Sequence, residues 1–220
     1  MTTFETTCPS GLRGTFRRFT VGDNRYITDQ RLVSEGRLFS TLAAAYWVET
    51  LSPGPYAEKV DWKKALQADA FHVCLQTRIA SQGPTTSYEV VCPDVSCRKR
   101  FTHTVDLTAL PYSPVAPELV DALQNPDVGA SLELSDGTRL RVRPVLTSDM
   151  PALATIQHRT PNLYATLSLV RRIIEIEGVD HHPRRIQDAI EAMDRQSGDD
   201  LLDKLDALDG GYRTSDIEVE

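Results

Sequence analysis

Cysteine is scarce in this chain of 220 residues, long apolar runs are missing, and the common nucleotide and hydrolase motifs do not occur. The four cysteines, at positions 8, 74, 92 and 97, are too few to frame a disulfide-built domain of this size. A reducing cytoplasm during synthesis follows from that sparseness. No run of roughly eighteen apolar residues exists, so no membrane-spanning helix is expected. Met1-Thr2-Thr3-Phe4-Glu5-Thr6-Thr7 has no basic patch ahead of an apolar stretch, and no secretory signal is expected there. Gly-x-Gly-x-x-Gly, the Walker phosphate loop, Gly-x-Ser-x-Gly and His-Glu-x-x-His are all absent. No positive sign of catalysis or of a small-molecule substrate remains, and the chain reads as a non-enzyme.

Excess positive charge is lacking too. The net charge is −7, which disfavours a nucleic-acid partner because phosphate contacts need clustered Lys and Arg. The charge is uneven along the chain. Arg13, Arg17, Arg18, Arg25, Arg31 and Arg37 make the first forty residues basic, whereas 188–220 is strongly acidic. Ordinary solvated faces and charge-complementary protein contacts both fit that polarity.

What is present supports a packed core, since 40 % of the residues are hydrophobic. The length suits one domain with a small insertion. The expected class is α+β, mostly α-helical, with an inserted β region made of a zinc-ribbon-like hairpin and a second hairpin. The expected organisation is an N-terminal helical part (1–82), a β-insertion with a cysteine knuckle (83–146), and a C-terminal helical part ending in a strand (147–220).

Within this frame, residues 11–19 predict a short strand. Helices are predicted from Asp23 to about Val33, over 38–51, and over 62–80 behind an Asp61 cap. Gln82-Gly83-Pro84 ends the last of these and opens the cysteine hairpin. Pro111-Tyr112-Ser113-Pro114 reads as a stiff connector, and 118–124 as a short helix. Residues 131–134 and 138–143 alternate around Ser135-Asp136-Gly137, a hairpin pattern. Helices are predicted from Ser148 or Asp149 to Pro161, over 163–177 with a Gly178 cap, over 183–193 and over 199–208. The last carries acids near its start and a Leu201, Leu205, Leu208 stripe.

The segment Tyr88-Glu89-Val90-Val91-Cys92-Pro93-Asp94-Val95-Ser96-Cys97-Arg98-Lys99-Arg100-Phe101-Thr102-His103 reads as strand, knuckle, strand. Cys92 and Cys97 are candidate metal ligands, because zinc takes four N or S donors, usually as two close pairs. His103 and Cys8 are the further donors to consider. The alternative is a free thiol pair. His181-His182 is a metal or acid–base candidate, or simply a solvated helix entrance. Asp61, Asp106, Asp149 and Asp180 stand where caps are expected. Residues 214–220 read as a strand that resembles the lead-in to Cys92, which suggests a native chain continuing beyond Glu220 into a second knuckle.

The order of these elements resembles the bacteriophage base plate protein family of T-even-type contractile tails. The strand before Cys92-Pro93…Cys97 carries the likeness, with Phe101-x-His103-x-Val105-Asp106-Leu107 after it. Asp136-Gly137-Thr138-Arg139-Leu140-Arg141-Val142-Arg143-Pro144 and Ile173-Ile174-Glu175-Ile176-Glu177-Gly178-Val179 complete it, over about residues 12–220. The departure lies in the cysteines: family-like sequences show closer pairs and a second pair near the C-terminus. The resemblance implies a structural or assembly protein of the tail baseplate, made in the host cytoplasm and destined for the virion. Its partners would be other tail and baseplate proteins, with several copies per particle. It carries over no catalytic residue and no cofactor, and zinc at Cys92 and Cys97 is left as an option rather than implied. The alternative is a zinc-ribbon-like cellular adaptor or regulatory protein.

Overall fold

The computed structural model describes residues 2–57, 59–92, 94, 96–124 and 129–212. Helix makes up 45 % and strand 24 %, so the fold is α+β with helices predominating, as the element pattern predicts. The terminal strand read at 214–220 lies outside the described residues.

A strand that sequence patterning missed starts the fold. Thr3–Thr7 (β1) pairs antiparallel with Arg13–Arg17 (β2), which pairs with Trp47–Ser52 (β3). Gly14 makes this sheet possible. A Cβ there would overlap the Trp47 ring and the Glu49 carbonyl, so only glycine lets β3 cross so closely. Gly14→Ala is expected to cost about 2–3 kcal/mol by overpacking. A urea unfolding curve with an unchanged midpoint would contradict this.

Short helices follow at Asn24–Ile27 (α1) and Gln30–Ser34 (α2). The single helix expected from Asp23 is thus two, because the Asp29 carboxylate accepts from Arg31 N and Leu32 N and starts a new helix. Asp23 instead faces the Arg17 guanidinium through two 2.7 Å bonds. Leu38–Tyr46 (α3) runs straight into β3 with no loop, since Trp47 is already extended at φ −66°, ψ 129°. The helix expected over 38–51 therefore stops at Tyr46. Trp47-Val48-Glu49-Thr50 combines aromatic and β-branched residues, and β2 offers them an edge to pair with.

The long helix is Gln67–Gln82 (α4), which begins five residues later than expected. Residues 62–66 are held by tertiary bonds instead. Thr147 Oγ1 donates to the Trp62 carbonyl, Thr147 N to that of Ala65, and Gln67 N to that of Val145. Beyond α4 come Thr85–Val91 (β4), Arg100–Asp106 (β5), Tyr112–Ser113 (β6), Pro117–Gln124 (α5), Ala130–Glu133 (β7) and Arg139–Val142 (β8). The connector expected at Tyr112-Ser113 is the short strand β6. It pairs with Gly211–Tyr212 (β10), too short a partnership to leave a pattern in sequence.

Met150–Arg159 (α6) carries Pro151 in its first turn, and Tyr164–Arg172 (α7) follows Pro161. Here the second expected long helix is overturned. Ile173 is extended (φ −80°, ψ 118°), and Ile173–Ile176 (β9) completes the sheet β7-β8-β9. Three isoleucines in four residues favour the pleated surface, and Arg141 and Glu175 form a cross-strand ion pair. Pro183–Ala192 (α8) and Arg195–Asp209 (α9) follow, ahead of β10.

The largest core gathers Leu119, Leu140, Val142, Ile173, Leu201 and Leu205, so α5 and α9 cover the β7-β8-β9 sheet. A second core under the N-terminal sheet holds Cys8, Leu12, Tyr46 and Trp62. A small third cluster of Leu75, Val105 and Leu110 receives Tyr212 and anchors the root of β4–β5.

Candidate interaction surface

The cysteine hairpin leaves α4 through Gly83, whose φ of +89° is a backbone turn that L-residues avoid. Register then sorts its residues into two faces. Tyr88 opposes His103, Val90 opposes Phe101, and Thr86 opposes Val105. At the root of this face Val105 is buried. Farther out the same face is bare: Tyr88 is 45 % exposed and Phe101 39 %. The Tyr88 and His103 rings meet edge-on at 5.5 Å. On the opposite face Ser87 and Thr104 share a 2.7 Å hydroxyl bond, and Glu89 faces Arg100 at 3.5 Å. The opposite face is polar apart from Val91 at its outer end, 51 % exposed, so the hairpin displays apolar side chains on both faces near the tip. Among the described residues β4 and β5 pair only with each other, leaving both backbone edges open.

The tip is built by Asp94. Its Oδ1 accepts from Ser96 N (2.8 Å) and Ser96 Oγ (2.7 Å), and its carbonyl accepts from Cys97 N and Arg98 N. These Ser96 bonds hold the Asp94 carboxyl below its ordinary value. Cys92 N donates to the Lys99 carbonyl at 2.9 Å, and Arg98 turns the corner at φ +42°. The turn thus presents Arg98, Lys99 and Arg100, all exposed. Pro93 and Val95 lie outside the described residues.

This geometry places the expected metal residues unequally. Cys92 is half-buried and Cys97 exposed, and one turn carries both. Cys8 is enclosed in the N-terminal core, where its N–H donates to the Leu12 carbonyl. His103 lies against Tyr88 on the strand. Among the described residues no three His, Cys, Asp or Glu side chains gather as a metal site would require. Among the described residues Cys92 and Cys97 are therefore free thiols on one turn with no third donor gathered beside them.

The other candidates resolve into turns and caps. His182 Nδ1 accepts from Arg184 N and caps α8, with Asp180 receiving His182 N. Asp61 and Asp106 accept from the N–H two residues ahead, and Asp149 binds Arg143 through bonds of 2.7 and 2.8 Å.

Sequence patterning missed a buried polar network on α4. Asp69 takes Ser10 N (3.0 Å), Ser10 Oγ (2.5 Å) and the Tyr56 hydroxyl (2.6 Å). One turn on, His72 meets Thr6 Oγ1 at 2.6 Å and the Tyr212 hydroxyl at 3.1 Å, and burial pushes its pKa down to about 4. Its only sequence signal is two polar residues three apart on an otherwise apolar helix face. The network joins the N-terminal turn, α4 and β10.

Thiol accessibility follows directly. Burial pushes the Cys8 thiol far up, and that of Cys74, against the Phe39 carbonyl, up to about 12. An aromatic disulfide reagent is expected to titrate Cys92 and Cys97 in the native protein, and Cys8 and Cys74 only after unfolding. Rapid native reaction of all four would contradict the burial described.

Matches to family models, curated proteins and solved structures are absent.

Proposed function

We propose that this chain is a structural or assembly protein of a phage contractile-tail baseplate, acting through protein–protein contacts. The observation that carries the reading is the hairpin β4–β5, which has an aromatic outer face, a basic tip and, among the described residues, two open edges. An arm of this kind offers backbone edges for strand addition and side chains for selectivity. The resemblance of its motif order to T-even-type base plate proteins suggests the tail context. The β7 edge of the three-stranded sheet is a second place for a neighbour to pair, although Leu134 beside it is buried rather than displayed.

On this reading the chain meets other tail and baseplate proteins, in several copies per particle, after synthesis in the host cytoplasm. Mass spectrometry of purified tails tests it. Several copies per tail support a structural component, and absence from tails with an assembly defect on deletion supports an assembly factor. Normal tails after deletion would sink both. The second reading, a zinc-ribbon-like adaptor, draws on Cys92 and Cys97 sharing one turn. It requires about one zinc per chain in protein purified without chelator.

A further inference from the structure

Two surfaces of this chain are complementary to each other. The hairpin carries Tyr88 and Phe101 on one face and Arg98 and Lys99 at its tip, with Arg100 on the other face. Arg100 has only an exposed partner, Glu89 at 3.5 Å, and Arg98 and Lys99 form no ion pair among the described residues. The second surface is the outer side of α9. Asp199, Leu202, Asp203 and Asp206 fall at helical spacings of three, four and seven, and so share one face. Leu201 and Leu205 point the other way into the core.

Leu202 is 48 % exposed in the middle of this acidic face. Asp199 is balanced only loosely, by Arg195 at 3.6 Å at the helix start. Asp203 and Asp206 form no ion pair among the described residues. The remaining acids of α9 are engaged elsewhere: Asp200 accepts from Ser135 N and pairs with Lys204, which donates to the Glu133 carbonyl, and Asp209 pairs with Arg172.

We propose that the hairpin of one copy docks on the α9 face of a second copy. Tyr88 and Phe101 cover Leu202, while Arg98 and Lys99 face Asp203 and Asp206. The occupant is argued from charge. Among the described residues of a chain of net −7, Arg98 and Lys99 stand without ion pairs at the end of an arm with one aromatic face, and Asp203 and Asp206, also without ion pairs, flank the exposed Leu202. Because the two patches differ, the contact is heterologous, and repetition closes a ring or extends a row. The contact is charged and exposed, so salt weakens it. This names a partner for the hairpin and rests on the reading of the hairpin as a baseplate contact arm.

Light scattering on the full chain tests the proposal. At about 0.05 M salt the mass is expected above the 24.5 kDa of one copy, returning toward it at about 0.5 M. Arg98→Glu with Lys99→Glu is expected to be monomeric, as is Asp203→Lys with Asp206→Lys, both melting like the parent. Mixing the two variants restores association, because each now complements the other. A parent that stays monomeric at low salt overturns the proposal, as does association insensitive to the reversals or a mixture that remains monomeric. Association appearing only after removal of residues 213–220 overturns it too, since that segment would then be the hairpin's occupant. Tail incorporation is read in parallel. A monomer found in purified tails overturns self-docking alone, and a self-associating chain absent from assembling tails overturns the baseplate reading alone.

Discussion

Asp69→Ala is expected to lower the melting temperature by roughly 10 °C. The side chain is fully buried and accepts three hydrogen bonds, two from Ser10 and one from Tyr56. Alanine strands these three donors away from water, at about 1–3 kcal/mol for each one left unmet. With some relaxation the sum is about 3–5 kcal/mol, and a chain of this size loses about 2–4 °C per kcal/mol. Tyr56 also accepts from Leu66 N, so the loss reaches the segment that positions α4. Asp69→Asn keeps the shape and one acceptor oxygen, and is expected to fall between the two.

The pH dependence gives this test a sign. Burial pushes the Asp69 carboxyl up, against the Ser10 and Tyr56 bonds that pull it down. Its folded pKa thus exceeds its unfolded one. The contribution from this titration is present in full below the unfolded pKa and is lost as pH rises through the folded one. The parent's advantage over Asp69→Ala is therefore widest in acid. Asp23 runs the opposite way, because the Arg17 hydrogen bond holds its carboxyl down at about 2, against burial. The advantage over Asp23→Asn is present above 3.8 and fades as pH falls toward about 2. Parallel slopes for the two variants, in urea melts run from about pH 2 upward past the ordinary carboxylate value of 3.8, would refute the assignment.

Replacing residues 92–99 by Asn-Gly is expected to leave the melting temperature within about 2 °C while reducing tail incorporation tenfold or more, a loss of about 1.4 kcal/mol or greater in binding. Val91 and Arg100 are register partners, so a two-residue turn closes the same hairpin. The described tip residues other than the half-buried Cys92 are exposed, so the body loses little contact. The deletion removes Arg98, Lys99 and both knuckle cysteines but keeps Tyr88 and Phe101. Adding Tyr88→Ser and Phe101→Ser separates the aromatic share from the basic one. Tail fractions with normal amounts of the shortened chain would show that the arm makes no assembly contact.

Punctuation made much of this fold legible. Gly83-Pro84, Asp136-Gly137, Pro151 and Pro183 mark real boundaries, because each residue restricts the backbone whatever surrounds it. Two helices were read too long for one reason. Around Trp47 and Ile173 an apolar run satisfies both periods, and only a neighbouring strand edge selects the extended form. β1 and β6 stayed hidden because their residues are polar or few. The hairpin of the candidate surface was readable from its turn and alternation. That Tyr88 and Phe101 stand uncovered was not, since alternation predicts a buried face and cannot say where the body beneath it ends.

The junctions at Tyr46–Trp47 and Arg172–Ile173 join helix to strand without slack. One residue added at either would turn every following side chain to the wrong face of its sheet. At the hairpin tip an added residue alters only reach. Change during evolution is thereby channelled: the body tolerates almost no insertion at its splices, while the arm can lengthen, shorten or exchange its tip. A chain built this way can change the length and tip of its arm without refolding its body.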